Sequence, residues 1–289
     1  MKVFIFSKRF FIPFLIVFAG HFIYLTAEIY RVYQVDFNGK GVPSSVLWKW
    51  LWQSGGIFMG ISFFAAFIVA LSFYSHAKAK KDKNNFQPFS RINILLVMVM
   101  AIAGFFYISF CVPKNTLKAA QILSNVVFAR SYDEFKKLMK DPVGNYKAER
   151  MMTLPELNRK KASAKNDENQ HGISMFPEKY RVAIQKINWE IARKYAFPLT
   201  IILFYITGIF VGLSFYKIHS IVAILFSYFF IFIGWYYCQQ VFEYWYKRGA
   251  FNVFIGAFGA VMLLTVLLVG WYFGLKRYGA FDKKQESFL

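Results

Sequence analysis

Residues 92–112, INILLVMVMAIAGFFYISFCV, decide the fold of this chain because no charged side chain interrupts them. A bilayer core about 30 Å thick is crossed by a helix of about 20 apolar residues. Backbone N–H and C=O groups find no water in lipid, so a segment that pairs them internally is required. The stretch therefore predicts a transmembrane helix.

Five more apolar runs of similar length occupy residues 10–30, 46–74, 196–216, 221–240 and 251–275. A charged stretch separates the first three runs from the last three, and 57% of all residues are hydrophobic, more than a globular core uses. We predict an all-α polytopic membrane protein with six transmembrane helices in a 3+3 arrangement around an extracytoplasmic insert. The predicted parts are a first transmembrane triplet (1–113), a periplasmic insert (114–195) and a second transmembrane triplet (196–289).

The formal net charge is +20 at pH 7, which raises the question of an anionic partner. The basic residues lie beside the apolar runs or within the insert, and no nucleic-acid-binding motif accompanies them. Lipid headgroups attract Lys and Arg near a membrane surface. We therefore expect a lipid partner and no nucleic acid.

Basic residues also predict the orientation, because Lys and Arg concentrate in short cytoplasmic loops. The N-terminal flank, residues 77–91 after the second run and the tail from Lys276 to Lys284 are all basic. Both termini are therefore predicted to be cytoplasmic, with the insert outside. The first run is longer than a signal-peptide core and lacks a small-x-small cleavage site, so we expect it to remain in the mature protein.

Within the insert, polarity peaks over residues 158–172, which predicts a solvated loop. From Pro177 onward, apolar residues recur at spacings of four and three, which predicts an amphipathic helix. Glu190 and Lys194 form a favourable i,i+4 pair on it, and Pro198 is a predicted kink. Two interpretations stay open: a helix that lies in the interface, and a lever that couples the insert to the membrane.

Several short segments resemble one known family. They are KRFFIPFL at 8–15, GVP at 41–43, CVPKN at 111–115, MTLPEL at 152–157 and, most specifically, EIARKYAFPL at 190–199. Their order and spacing are similar to those of the LptF/LptG permeases, the membrane subunits of the lipopolysaccharide-exporting ABC transporter. The resemblance implies an inner-membrane permease subunit with three partners: a second LptF/LptG-like subunit, a cytoplasmic ATPase dimer and a lipid substrate.

The chain departs from that family in two places. The insert is shorter than the family's β-jellyroll domain, and only residues 126–129, VVFA, have the pattern of a strand. Residues 77–90 contain no Glu and no Gly, unlike the family's coupling helix. The shortened insert leaves open whether the lipid is lipopolysaccharide or a related glycolipid.

The family analogy places lipid between the first helices and the fifth. Arg31, Lys40 and Lys49 are therefore candidates for substrate binding through lipid phosphate or headgroup contacts. The alternative is that they are interfacial residues with a purely structural role. Phe86 and Phe89 are apolar residues in the basic loop, and we predict that they contribute to ATPase coupling.

Motifs for chemistry are missing from the sequence. It contains no GxxxxGK[ST] loop, HExxH, CxxC or GxSxG, so ATP hydrolysis is expected only in a partner subunit, and no cofactor or metal is expected. Cys111 and Cys238 are interpreted as two free thiols in preference to a disulfide. His21 falls within the first run and is interpreted as a hydrogen-bonded packing residue in preference to a functional one.

Two further features carry alternatives. Gly56 with Gly60 and Gly208 with Gly212 form GxxxG pairs, which indicate either packing within the chain or a seam with a second subunit; packing is favoured. The rival to a permease is a non-transporting membrane scaffold or assembly factor, which the altered loop 77–91 favours. A lipid-modifying membrane enzyme would need clustered acid, base or metal-binding groups, which the sequence does not show.

Overall fold

The structure is a computed structural model that describes residues 4–38, 42–82, 89–128, 134, 149–170 and 177–277. Within these ranges every regular element is a helix and there is no strand. The α-helices are α1 (Lys8–Asn38), α2 (Ser44–Asp82), α3 (Arg91–Phe106), α4 (Val112–Phe128), α5 (Leu154–Gln170), α6 (Pro177–Ser214), α7 (Ser220–Leu225), α8 (Gly234–Lys247) and α9 (Val253–Arg277). A π-helix, Tyr107–Cys111, joins α3 to α4, and a second, Phe226–Ile233, joins α7 to α8.

Six helical segments of the described chain are long and apolar enough to cross a membrane. They are Lys8–Arg31, Met59–Lys81, Arg91–Val126, Ile184–Ser214, Ser220–Lys247 and Val253–Arg277. Each overlaps one of the six apolar runs, so the prediction of an all-α polytopic membrane protein is confirmed. The 3+3 arrangement and the division into three parts remain predictions.

The strand predicted at 126–129 is wrong over residues 126–128, which form the last turn of α4. Residue 129 lies outside the described residues. Strand propensity is overridden by tertiary packing, since Ala119, Ile122 and Val126 form one apolar face that is buried against the start of α2. The third membrane helix therefore continues beyond its predicted end at residue 112.

The loop predicted at 158–172 is also wrong over residues 158–170, which belong to α5. The helix starts with a capping box: the backbone N–H and hydroxyl of Thr153 donate to Glu156 Oε2 over 2.7 and 2.8 Å. Leu157 in its first turn is fully buried. The cap and this buried residue both stabilise the start of α5, although the segment is polar.

The amphipathic helix begins at Pro177, as predicted, and continues through Pro198 without a break. It runs on to Ser214, so the end of the predicted insert and the fourth apolar segment form a single helix, α6. A continuous helix is what the lever interpretation requires.

The chain divides into two compact units. The first comprises Met1–Ala19, Phe63–Phe105 and Tyr195–Leu289. Its core contains an aromatic cluster in which the ring centroids of Phe64, Phe204 and Trp235 lie 5.2 to 5.5 Å apart. Such edge-on aromatic pairs add to the packing energy of a core.

The second unit comprises Gly20–Ser62 and Phe106–Lys194. Its main apolar cluster joins the start of α2 to α4 through the buried residues Val42, Leu47, Trp50, Leu51, Ala119, Ile122 and Val126. This cluster fixes the position of the α2 turns that carry Lys49.

Candidate functional site

Arg31 is the last residue of the first membrane span, and its guanidinium forms an ion pair with Glu28 on the same helix. Arg31 Nη2 lies 2.6 Å from Glu28 Oε1, and the Arg31 side chain is 72% exposed. Exposed ion pairs of this kind contribute little to stability, about 0–1 kcal/mol. The fold therefore does not depend on this ion pair. An anionic ligand can compete with Glu28 for the Arg31 guanidinium.

Lys49 lies in the first turns of α2, where its side chain is exposed. The rings of Tyr30 on α1 and Trp48 on α2 stack with centroids 5.7 Å apart. Since these residues immediately precede Arg31 and Lys49, the structure brings the helix turns that carry the two basic residues together. Lys40, the third predicted substrate-binding residue, lies outside the described residues.

His21 is accounted for by packing. Its Nδ1 lies 3.1 Å from Ser62 Oγ on α2, within hydrogen-bonding distance. This supports the packing interpretation, because polar side chains in membrane helices are commonly used to join neighbouring helices.

Phe89 is described, whereas Phe86 lies outside the described residues. The Phe89 ring packs edge-on against Tyr205 and Phe210 of α6, with centroids 6.2 and 6.5 Å apart. It still leaves 40% of its surface exposed. Phe89 therefore has a structural contact as well as an exposed edge, and its role in coupling remains a prediction.

The pair Gly208 and Gly212 packs inside the chain. A Cβ at Gly208 would lie 2.6 Å from Leu71 Cβ, and one at Gly212 would lie 2.6 Å from the backbone N of His76. Both neighbours belong to α2, so these glycines allow α2 and α6 to approach closely. This supports packing within the chain over an intersubunit seam for the second GxxxG pair.

Glu149, which precedes α5, interacts with two lysines. Burial by itself raises the pKa of its carboxyl, but the hydrogen bond from Lys160 and the charges of Lys160 and Lys186 outweigh burial, so the pKa is lowered overall. The Lys160 Nζ lies 2.8 Å from Glu149 Oε1. A lowered pKa means that this pair stabilises the fold above the carboxyl's ordinary pKa and that the contribution is lost as the pH falls through the folded value.

Sequence reasoning missed the role of Lys194. The sequence predicted an i,i+4 pair with Glu190, and the charge of Glu190 does act on Lys194. In addition, the Lys194 Nζ donates to the Ile108 carbonyl at 3.1 Å. Glu190 also lies 4.0 Å from Arg193 Nη1. One signal was available in the sequence: Pro113 stands five residues after Ile108 and has no N–H to donate.

Six helical segments of the described residues are long and apolar enough to cross a membrane, which is typical of a polytopic membrane protein. The family model for the lipopolysaccharide export system permease LptF/LptG matches residues 124–274, just over half of the chain. The chain therefore belongs to the LptF/LptG family, whose members are transport permeases and not themselves enzymes. No curated protein and no solved structure matches the chain.

Proposed function

We propose that this chain is an inner-membrane permease subunit of an ABC transporter that extracts lipopolysaccharide or a related glycolipid for export. It works with a second LptF/LptG-like subunit and a cytoplasmic ATPase dimer. The family match carries the proposal. The missing nucleotide loop supports the view that ATP is hydrolysed in a partner.

The exposed surface of the membrane helices supports a partner or lipid beside α1. Six large apolar side chains on α1 are exposed with respect to the described residues: Phe11, Ile12, Leu15, Ile16, Ile23 and Tyr24. A single copy thus leaves this helix open to lipid or to a second subunit.

Arg31, Lys40 and Lys49 are proposed to bind the phosphates or headgroup of the transported lipid. In this proposal they lie near the outer face of the membrane, where the lipid leaves the bilayer. Hydrogen bonds to charged groups contribute about 1.5–3 kcal/mol each, more than an exposed intrahelical pair does. The exposed guanidinium of Arg31 supports its assignment.

Phe86 and Phe89 in the basic loop 77–91 are proposed to couple the permease to its ATPase. This assignment requires a cytoplasmic loop and cytoplasmic termini, in agreement with the basic flanks. The exposed edge of Phe89 supports it. Replacing both phenylalanines by Ala is expected to weaken assembly with the ATPase.

Purification of the tagged chain in mild detergent tests the permease against the scaffold interpretation. The permease predicts that an ATPase and a second LptF/LptG-like subunit copurify, and that the chain alone hydrolyses no ATP. A scaffold predicts a stable complex without an ATPase. ATP hydrolysis by the chain alone would contradict both.

The lipid contact is tested by Arg31→Glu, measured as crosslinking to lipid and as lipid-stimulated ATPase activity of the assembled complex. Reversal is expected to reduce both more than Arg31→Gln does, because Glu28 would then repel the new carboxylate as well. Lys247→Glu is the matched control, since Lys247 forms a similar exposed pair with Glu243 at 2.7 Å on α8. Equal effects of Arg31→Glu and Lys247→Glu would remove Arg31 from the lipid path.

A further inference from the structure

The π-helix Tyr107–Cys111 is followed closely by a proline, which removes one backbone donor from the π pattern. The Val112 N–H donates to the Tyr107 carbonyl, five residues earlier, in the π pattern. The next bond of that pattern would run from residue 113 to the Ile108 carbonyl. Residue 113 is Pro113, which has no N–H, so the Ile108 carbonyl lacks this donor.

Lys194 supplies the missing donor. Its Nζ lies 3.1 Å from the Ile108 oxygen, and the residue is only 4% exposed. A buried ammonium is costly unless it is hydrogen-bonded, and a buried carbonyl has the same requirement. The hydrogen bond gives each group a partner, and the charge of Glu190 also acts on the Lys194 ammonium.

We propose that Lys194 is a positioning residue that holds the π-helix of the third membrane segment against α6. We call its hydrogen bond to the Ile108 carbonyl the clasp. The clasp holds Tyr107–Cys111 in the π register and ties that register to the helix that begins at Pro177 in the insert. Lys194 lies in segment 190–199 and Pro113 in segment 111–115, two of the segments that resemble the family. The inference goes beyond the proposed function, because it does not depend on which lipid is transported.

The native thiol of Cys111 reports on this register, because it is exposed at the end of the π-helix. A change from π to α register shortens the hydrogen-bonded turn by one residue. One residue corresponds to a rotation of roughly 100° about the helix axis, so the residues that follow turn by about that angle. The experiment measures the rate of maleimide labelling at Cys111, together with the unfolding temperature. It uses the full-length chain in detergent, with Cys238→Ser so that one thiol remains.

Lys194→Met is expected to change the labelling rate severalfold and to lower the unfolding temperature by a few degrees. Pro113→Ala restores an N–H at residue 113. In the Lys194→Met background it is expected to bring both readouts back toward the parent. Arg193→Met is the matched control, since Arg193 is the exposed neighbour on the same helix, and it is expected to leave both readouts unchanged.

Rescue of Lys194→Met by Pro113→Ala distinguishes the proposed hydrogen bond from a general packing role of Lys194. The alanine restores a backbone donor at residue 113 and adds no bulk at residue 194. Additive losses in the double variant would overturn the proposal, as would unchanged labelling in Lys194→Met. If Lys194→Met alone does not fold, the double variant is expected to fold. Failure of both, with Arg193→Met folded, would equally overturn it.

Discussion

The first and second membrane helices differ sharply in burial, although both are apolar enough to span a bilayer. In the most apolar window of each span, 6% of the residues are buried in Lys8–Arg31 of α1 and 72% in Met59–Lys81 of α2. The more hydrophobic of the two is the exposed one. Hydrophobicity thus places a helix in lipid but does not bring it against another helix.

Small and hydroxyl-bearing residues explain the burial of α2. Ala65, Ala66 and Ala70 are fully buried on it, as are Ser72 and Ser75. Gly208 and Gly212 of α6 meet the same helix, and α6 is buried to a similar extent in its span. Short side chains let helix backbones approach, which is the main source of packing energy within a membrane.

The largest effect is expected from Gly212→Ala. The new Cβ would clash with Ser75 Cβ and lie 2.6 Å from the His76 backbone N, and the backbone cannot move aside without a large energetic cost. Overpacking of this kind costs about 1–3 kcal/mol. Unfolding in detergent measures the loss.

Gly20→Ala on α1 is the matched control for the comparison. A Cβ at Gly20 meets no atom within 4 Å. Alanine favours a helix over glycine by about 0.5–1 kcal/mol, so this variant is expected to be as stable as the parent or slightly more so. A similar loss in both variants would show that the burial difference between α1 and α2 is not real.

A smaller effect is expected from the hydroxyl pair that joins α2 to the second π-helix. Ser227 Oγ lies 2.6 Å from Ser72 Oγ and 2.7 Å from the Ala223 carbonyl. Hydrogen bonds between membrane helices contribute about 0.6 kcal/mol on average. A double-mutant cycle with Ser72→Ala and Ser227→Ala measures the coupling, and a value near zero would leave packing alone to hold α2.

The smallest effect on the isolated chain is expected from Ile16→Ala on α1. Ile16 is 67% exposed, so its truncation removes few contacts within the chain. Surface substitutions of this kind usually change stability by less than about 0.5 kcal/mol. A larger loss of unfolding free energy would mean that α1 packs on its own chain more than the structure shows.

The sequence predicted the six spans because apolar length alone identifies a membrane helix. It did not predict that the α2 span is largely buried, because burial depends on which short residues face each other. Helix α5 had a readable signal, Thr153 followed three residues later by Glu156, which the polarity of the segment obscured. The missing N–H of Pro113 is visible in the sequence, but which carbonyl loses this donor depends on the π register of residues 107–111, which the apolar pattern does not show.

Crosslinking from the exposed face of α1 is the most direct test of the difference between α1 and α2. It identifies which molecules contact that face. A photoreactive residue at Ile16, in cells that contain the assembled complex, is expected to crosslink to lipid and to a second permease subunit. The same residue at Phe67 on α2, which is fully buried, is expected to crosslink only within the chain. Intermolecular products from position 67, or only intramolecular products from position 16, would contradict the account.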